Sequence, residues 1–163
     1  MTTRKLLTSL AAGAALTALS TGGAFAQEVT LKLHQFLPAQ ANVPKDVLDV
    51  WADNVEEDSG GRIKIDRYPS MQLGGKPGDL YGQAKDGIVD MIWTIPGYTA
   101  NRFTLTEVFE LPFVAQSATK TAPAVHEFAK RNMGEEYADT HAILFHTHAP
   151  GQLHTKGTAI RTL

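Results

Sequence analysis

The chain has 163 residues, with 15 basic and 17 acidic side chains, a net charge of −2 at pH 7, and no Cys. A slight acidic balance offers nucleic acid no basic footprint, and the absence of Cys excludes disulfides and a thiol nucleophile. Without covalent staples the chain must bury a hydrophobic core, and its length suffices for one domain.

The first elements are a leader. Arg4 and Lys5 precede an apolar run from Leu6 to Leu19, and Ala24-Phe25-Ala26 supplies the small residues a signal peptidase reads. Gly13, Thr17, Ser20 and Gly22-Gly23 interrupt the run, which argues against a spanning helix of about 20 apolar residues. Residues 1–26 are therefore expected to be a signal peptide cleaved after Ala26, and 27–163 the secreted mature part. Cleavage removes two basic residues and no acid, leaving 13 basic against 17 acidic, net −4.

The mature chain then alternates between strand and helix. "VTLKLHQF" (Val29 to Phe36) places Val29, Leu31 and Leu33 on one face at the period of a strand. "VPKDVLDVWADNVEEDSGG" reads as a helix: Val47, Trp51 and Val55 recur every fourth residue, and Gly60-Gly61 stops it. "RIKIDRY" is a second strand, and "PSMQLGGKPG" a loop rich in turn residues. "DLYGQAKDG" is a short helix closed by Gly87, and the nearly continuous apolar run "IVDMIWTI" predicts a central strand covered on both faces. "PGYTANRF" is a loop, and "LTEVFELPF" carries no clear period before Pro112. Ser117 is placed to cap a helix through Met133, with Val125, Phe128 and Ala129 as its apolar stripe; "AILFHTHA" reads as a fourth strand. The alternation predicts an α/β fold, a mostly parallel sheet with helices on both faces. The chain ends at "AIRTL" with no polar wind-down, as if cut while entering another element.

In such a sheet, ligands sit outside the carboxyl ends of the strands. Those ends carry His34, Gln72 with its glycine-rich loop, the Trp93–Tyr98 stretch including Thr94, and the pair His146 and His148. Two aromatic rings, a few hydrogen-bonding groups and glycines make a small-molecule pocket, with plain core as the weaker alternative for Trp93. Enzyme chemistry finds less support. Gly75-Lys76 resembles the end of a phosphate-binding loop, but Ser70 stands where its first Gly belongs and Pro77 where Ser or Thr belongs. No G-x-S-x-G turn occurs, Glu107 and Glu110 form at most a weak acidic pair, and Glu56-Glu57-Asp58 reads as a solvated helix end.

H-x-H on a strand would put His146 and His148 on one side, a metal geometry that requires a third ligand. His34 is the candidate for that ligand, and His154 lies beyond Pro150-Gly151. Metal binding, ligand hydrogen bonding and a structural role all remain open for the pair.

Several stretches together carry a family likeness. "YPSMQLGGKPGDLYGQAKDGIVDMIWTIPGY" contains P-x-x-Q-L-G, then a helix, G-x-V-D and P-G-Y, flanked by "GGRIKI", "RFTLTEVFELPF" and "HTKGTAIRTL" in the same order. From about Leu31 to Leu163 the chain resembles the solute-binding proteins of TRAP (tripartite ATP-independent periplasmic) transporters, the DctP type. The resemblance implies a two-lobed periplasmic protein, here lacking its second lobe, that closes on a small organic acid with no cofactor. It also implies delivery to a permease of one small and one large membrane subunit, driven by an ion gradient. By position, His34, Gln72, Trp93, Thr94 and Tyr98 line the cleft, with His146 and His148 at its edge. The family's carboxylate-binding arginine falls beyond this chain; Arg161 belongs to its lead-in, and Arg102 reads as structural. A metal-dependent periplasmic enzyme using His146 and His148 is the alternative, and a sensor lobe signalling to a receptor a third reading.

Overall fold

The computed structural model describes residues 28–115, 117–149 and 155–157. The leader, His154 and Arg161 lie outside them. Three strands, β1 (Val29–Gln35), β2 (Ile63–Tyr68) and β3 (Met91–Trp93), form a parallel sheet in the order β2-β1-β3. The order of strand placement thus reverses about β1: the first crossover goes to one side and the second returns past it. Such a switch point leaves a crevice at the carboxyl ends of β1 and β3.

Burial along β1 follows from its neighbours. Its start pairs only with β2 (Val29 opposite Ile63), whereas Leu33 is flanked by Arg67 and Met91 and His34 by Tyr68 and Ile92, and Gln35 pairs with Trp93. Accordingly Leu33, His34 and Gln35 are buried, while Val29 is exposed despite its strand-like spacing. Side-chain acceptors complete both margins of the ladder. Asp90 takes the Lys32 N–H at 2.8 Å just before β3 begins, and Glu56 takes the Ile65 N–H of edge strand β2 at 2.9 Å. Covering edge donors in this way blocks further strand addition.

The first helix begins with a π-helical turn (Pro44–Leu48), with Pro at its first position, and continues as α1 (Asp49–Asp58). Gly60 and Gly61, both at positive φ, turn the chain out of it. Ala52, Leu48, Trp51 and Val55 pack on Leu33 and Ile65, on one face of the sheet. On the other face a turn (Pro77–Asp79) leads into α2 (Leu80–Lys85), whose Gln83 meets His34. Adjacent residues of β1 thus serve opposite layers, as the period of two requires.

A second cluster holds the later segments. Tyr81, Phe103, Tyr137 and Phe145 meet in sequence, with ring centroids 4.9, 4.8 and 4.9 Å apart. Helix α3 (Thr104–Glu107) is four residues long, too short to satisfy its own amide groups. Glu136 does so instead, accepting from Leu105 N at 2.6 Å, Thr106 N at 3.2 Å and the Thr106 hydroxyl at 2.8 Å. Burial pushes the Tyr137 phenol up to about 12, against a bond with the Thr106 hydroxyl that works the other way. Helix α4 (Ala118–Asn132) starts at Ser117, whose Oγ accepts from Lys120 N at 3.3 Å, as its spacing predicts. Among the described residues no helix is long and apolar enough to cross a membrane.

Two strand expectations are corrected. The run from Ile88 forms only a three-residue strand, and among the described residues it lies at an edge of the sheet rather than the centre; Pro96 then turns the chain. Residues 141–149 join no ladder; they reach the sheet through side chains.

Candidate functional site

At the switch point the chain emerges from β1 at Phe36 and from β3 at Trp93. Their rings stack at 5.2 Å, 25° from parallel. The next turn (Pro96–Tyr98) sets Tyr98 edge-on to Phe36 at 5.3 Å. From the other side Trp93 Nε1–H donates to His146 Nε2 at 2.8 Å, with the two rings within 15° of parallel. Four rings from three separate segments form one aromatic face, and Tyr98 leaves half its surface open.

The supports of this face are specific. Gly97 N–H donates to Glu110 Oε1 at 3.3 Å, and a Cβ at Gly97 would collide with that carboxylate. Gly78 lies so close that an added Cβ would stand 2.6 Å from the Tyr98 carbonyl, and Thr99 Oγ1 donates to Gly78 O at 3.1 Å. Opposite, the Gln72 loop is drawn against β1: Ser70 N–H donates to Leu37 O at 2.9 Å and Met71 N–H to Gln35 O at 3.1 Å. Both Ser70 and Met71 adopt left-handed φ (53° and 56°). Each such non-glycine residue costs on the order of 1 kcal/mol and persists only where its surroundings hold it.

The expected site residues therefore divide. Trp93, Tyr98 and His146 are brought together, with Phe36 completing the face. Thr94 is adjacent, its hydroxyl oxygen buried without a hydrogen-bond partner. His34 stands behind the face, fully buried. Its Nδ1–H donates to Gln83 Oε1 at 2.7 Å and its Nε2 accepts from Leu73 N–H at 3.3 Å, so both nitrogens are used inside the chain. Gln72 is exposed on the loop that His34 anchors. His148 is exposed, with Nδ1–H donating to Ala149 O at 2.6 Å.

These bonds bear on the metal alternative. The third ligand expected from His34 has no free nitrogen, His146 Nε2 receives the indole proton, and His148 Nδ1 is turned to its own backbone. Among the described residues no group of three or more metal-ligating side chains converges. Desolvation pushes the His146 imidazole below its usual range, helped by neighbouring His148 and opposed by a bond with the Thr147 backbone.

Other features were not legible beforehand. Thr147 also buries an unpartnered hydroxyl oxygen, but a Thr between two His gives no sequence signal of that. Glu110 braces the Pro96–Tyr98 turn, and only the unassigned Glu107/Glu110 pair hinted at it. Arg102 is structural as expected: Nη2 donates to Asp139 at 2.7 Å and to Tyr81 Oη at 3.1 Å, and the guanidinium covers the Tyr81 ring at 4.7 Å. Two cavities elsewhere, about 200 Å³ by Leu33, Arg67 and Tyr68 and about 550 Å³ by Tyr81, Lys85 and Arg102, do not include the aromatic face. We favour the face, which lies at the switch point; the larger cavity borders an Arg102 already paired with Asp139.

A parallel α/β lobe with an aromatic face at its switch point has the arrangement in which small-molecule sites are found. Residues 33–147 match the family described as bacterial extracellular solute-binding protein, family 7 (DctP), and the chain belongs to that family. It is similar to a TRAP solute-binding protein from Rhodoferax ferrireducens T118, solved with copurified benzoate: 50% identity, TM-score 0.71, covering 74% of this chain and 38% of that one. A marine metagenome TRAP solute-binding protein specific for aromatic acid ligands, solved with 3-hydroxybenzoate, has 42% identity and TM-score 0.79, covering 82% of this chain and 42% of that one. A curated relative, the outer membrane transporter protein TsaT of Comamonas testosteroni, is 27% identical over 131 residues, 77% of this chain and 37% of its own length. The chain spans about two fifths of the length of these relatives.

Proposed function

We propose that this chain supplies one lobe of a periplasmic TRAP solute-binding protein that captures an aromatic monocarboxylate for a two-subunit membrane permease. The observation that carries the reading is the face of Phe36, Trp93, Tyr98 and His146 at the crevice between β1 and β3. Stacked and edge-on contacts are what a benzene ring seeks, each worth about 0.5–1.5 kcal/mol beyond its buried area. The benzoate and 3-hydroxybenzoate of the two similar proteins support the same ligand class. No step here requires bond making; the protein is read as a binder and not an enzyme.

Binding in two-lobed proteins draws contacts from both sides of a closing cleft. Residues 27–163 are accordingly read as the first lobe, and the carboxylate is held mainly by groups in the part of the relatives that this chain does not span. Within the chain, the exposed Gln72 and His148 are read as polar contacts at the rim, with the buried Thr94 hydroxyl and His34 behind them. A thermal-shift screen tests the class, because a ligand that binds only the folded state raises the transition temperature. With the protein brought to the length of its relatives, benzoates should shift it and short aliphatic diacids should not. The reverse ranking would sink the aromatic reading.

A further inference from the structure

One contact on the aromatic face is more selective than stacking requires. An indole nitrogen is a donor only, so the 2.8 Å bond from Trp93 Nε1–H makes His146 Nε2 the acceptor. An imidazole has an acceptor nitrogen only while neutral. The same indole lies against Phe36 at 5.2 Å, so this bond fixes the plane on which a bound ring would rest. We propose that His146 is a positioning residue: its neutral imidazole holds the Trp93 indole in register with Phe36, and proton uptake breaks that hold and releases the ligand. The proposal rests on the aromatic-acid reading above.

The surroundings suit such a device. Desolvation and His148 both disfavour the charged ring, against the Thr147 backbone bond. On the segment next to it, His126 of α4 accepts from Phe145 N–H at 3.4 Å and Tyr137 packs on the Phe145 ring, while His34 of β1 is committed to Gln83 and Leu73. The Pro96–Tyr98 turn brings Tyr98, edge-on to Phe36, and Glu110, engaged with Gly97 N–H. Protonated His146 would set an N–H against the indole N–H. Affinity is then full at neutral pH and falls as pH drops through a value below the usual ~6.5 of His. A benzoate-type carboxylate, with a pKa of about 4, stays ionised across that window. A direct contact between His146 and the carboxylate would give the opposite sign, because charging the ring would tighten binding.

The test compares wild type with His146→Asn, whose amide oxygen can accept the indole proton without titrating, and His146→Phe, which has no acceptor. Benzoate affinity is measured by calorimetry, and the Trp93 indole N–H resonance by NMR, from pH 5 to 8, in protein of the relatives' length. The Trp93 resonance is assigned by its loss in Trp93→Phe; Trp51 packs in the α1 core. Wild type should lose about fivefold in affinity on acidification, the worth of roughly one hydrogen bond. The Trp93 resonance should move with the same midpoint. His146→Asn should be flat with pH and near wild type at neutrality; His146→Phe should bind weakly throughout. Affinity that rises with acid, equal behaviour of the Asn and Phe variants, or a stationary Trp93 resonance overturns the proposal. Should benzoate bind at no pH while the resonance still titrates, the aromatic-acid reading fails and the hold of His146 on Trp93 stands.

Discussion

Replacing His34 with Ala separates a ligand contact from a buried strut. The ring donates to Gln83 Oε1 at 2.7 Å and accepts from Leu73 N–H at 3.3 Å, and none of it is exposed. Gln83 in turn donates to Gly74 O at 3.1 Å, so one imidazole ties β1, α2 and the Gln72 loop together. Losing two hydrogen bonds of about 1 kcal/mol each and leaving a ring-sized void should cost about 3 kcal/mol. In urea, at a slope of about 2 kcal/mol per molar, the unfolding midpoint should fall by roughly 1.5 M with the slope unchanged. A Gln83→Leu variant and the double variant complete a cycle, and the pair should couple by about 1 kcal/mol. A loss below about 0.5 kcal/mol, with ligand affinity nonetheless reduced, would show that His34 belongs to the ligand instead.

Other consequences are as direct. Gly78→Ala would press its methyl group on the Tyr98 carbonyl, and an overpacked contact of that kind costs about 1–3 kcal/mol; Gly82→Ala, where an added Cβ meets nothing within 4 Å, is the control, and equal losses by thermal melting would contradict the close approach. Tyr137 keeps its proton in the fold to about 12 but loses it near 10 when unfolded. The unfolded state therefore binds fewer protons between those values, and stability should fall as pH rises through that window. Tyr137→Phe should abolish that component of alkaline unfolding, and an unchanged pH profile would refute it. Lys85 and Arg102 hold the Asp139 carboxyl below its usual range, so this acid contributes stability that is lost as pH falls through its folded value. Asp139→Asn should flatten the acid limb of a denaturation series, and an unaltered limb would argue against the pairing.

How far these features were legible depends on which physics decides each one. β1, β2, α1 and α4 follow from local pattern: alternation at Leu31 and Leu33, the four-residue recurrence of Val47, Trp51 and Val55, and a Ser117 cap whose bond to Lys120 N is local by nature. The position of β3 is not legible in this way: an apolar run reads as central wherever it sits, whereas strand order is set by the crossover. Residues 141–149 have the composition of a strand without a ladder, and composition carries no information about a partner edge. At the site, Trp93, Tyr98 and His146 were accessible through the rule that ligands gather at strand ends. The inward commitment of His34 was not, since it depends on Gln83, 49 residues away, and on a loop amide. Glu136, which caps α3 from about 30 residues downstream, was hidden for the same reason.

The measurement closest to the central claim is a paired titration of benzoate and cyclohexanecarboxylate into protein of the relatives' length. The two acids share a carboxylate and nearly a size, and differ in whether the ring has a π face to set against Phe36, Trp93 and Tyr98. Two aromatic contacts of about 0.5–1.5 kcal/mol each predict benzoate tighter by roughly tenfold, a preference that Trp93→Leu should erase. Equal affinity for the two acids, or a preference for the saturated ring, would contradict an aromatic face built to receive an aromatic acid.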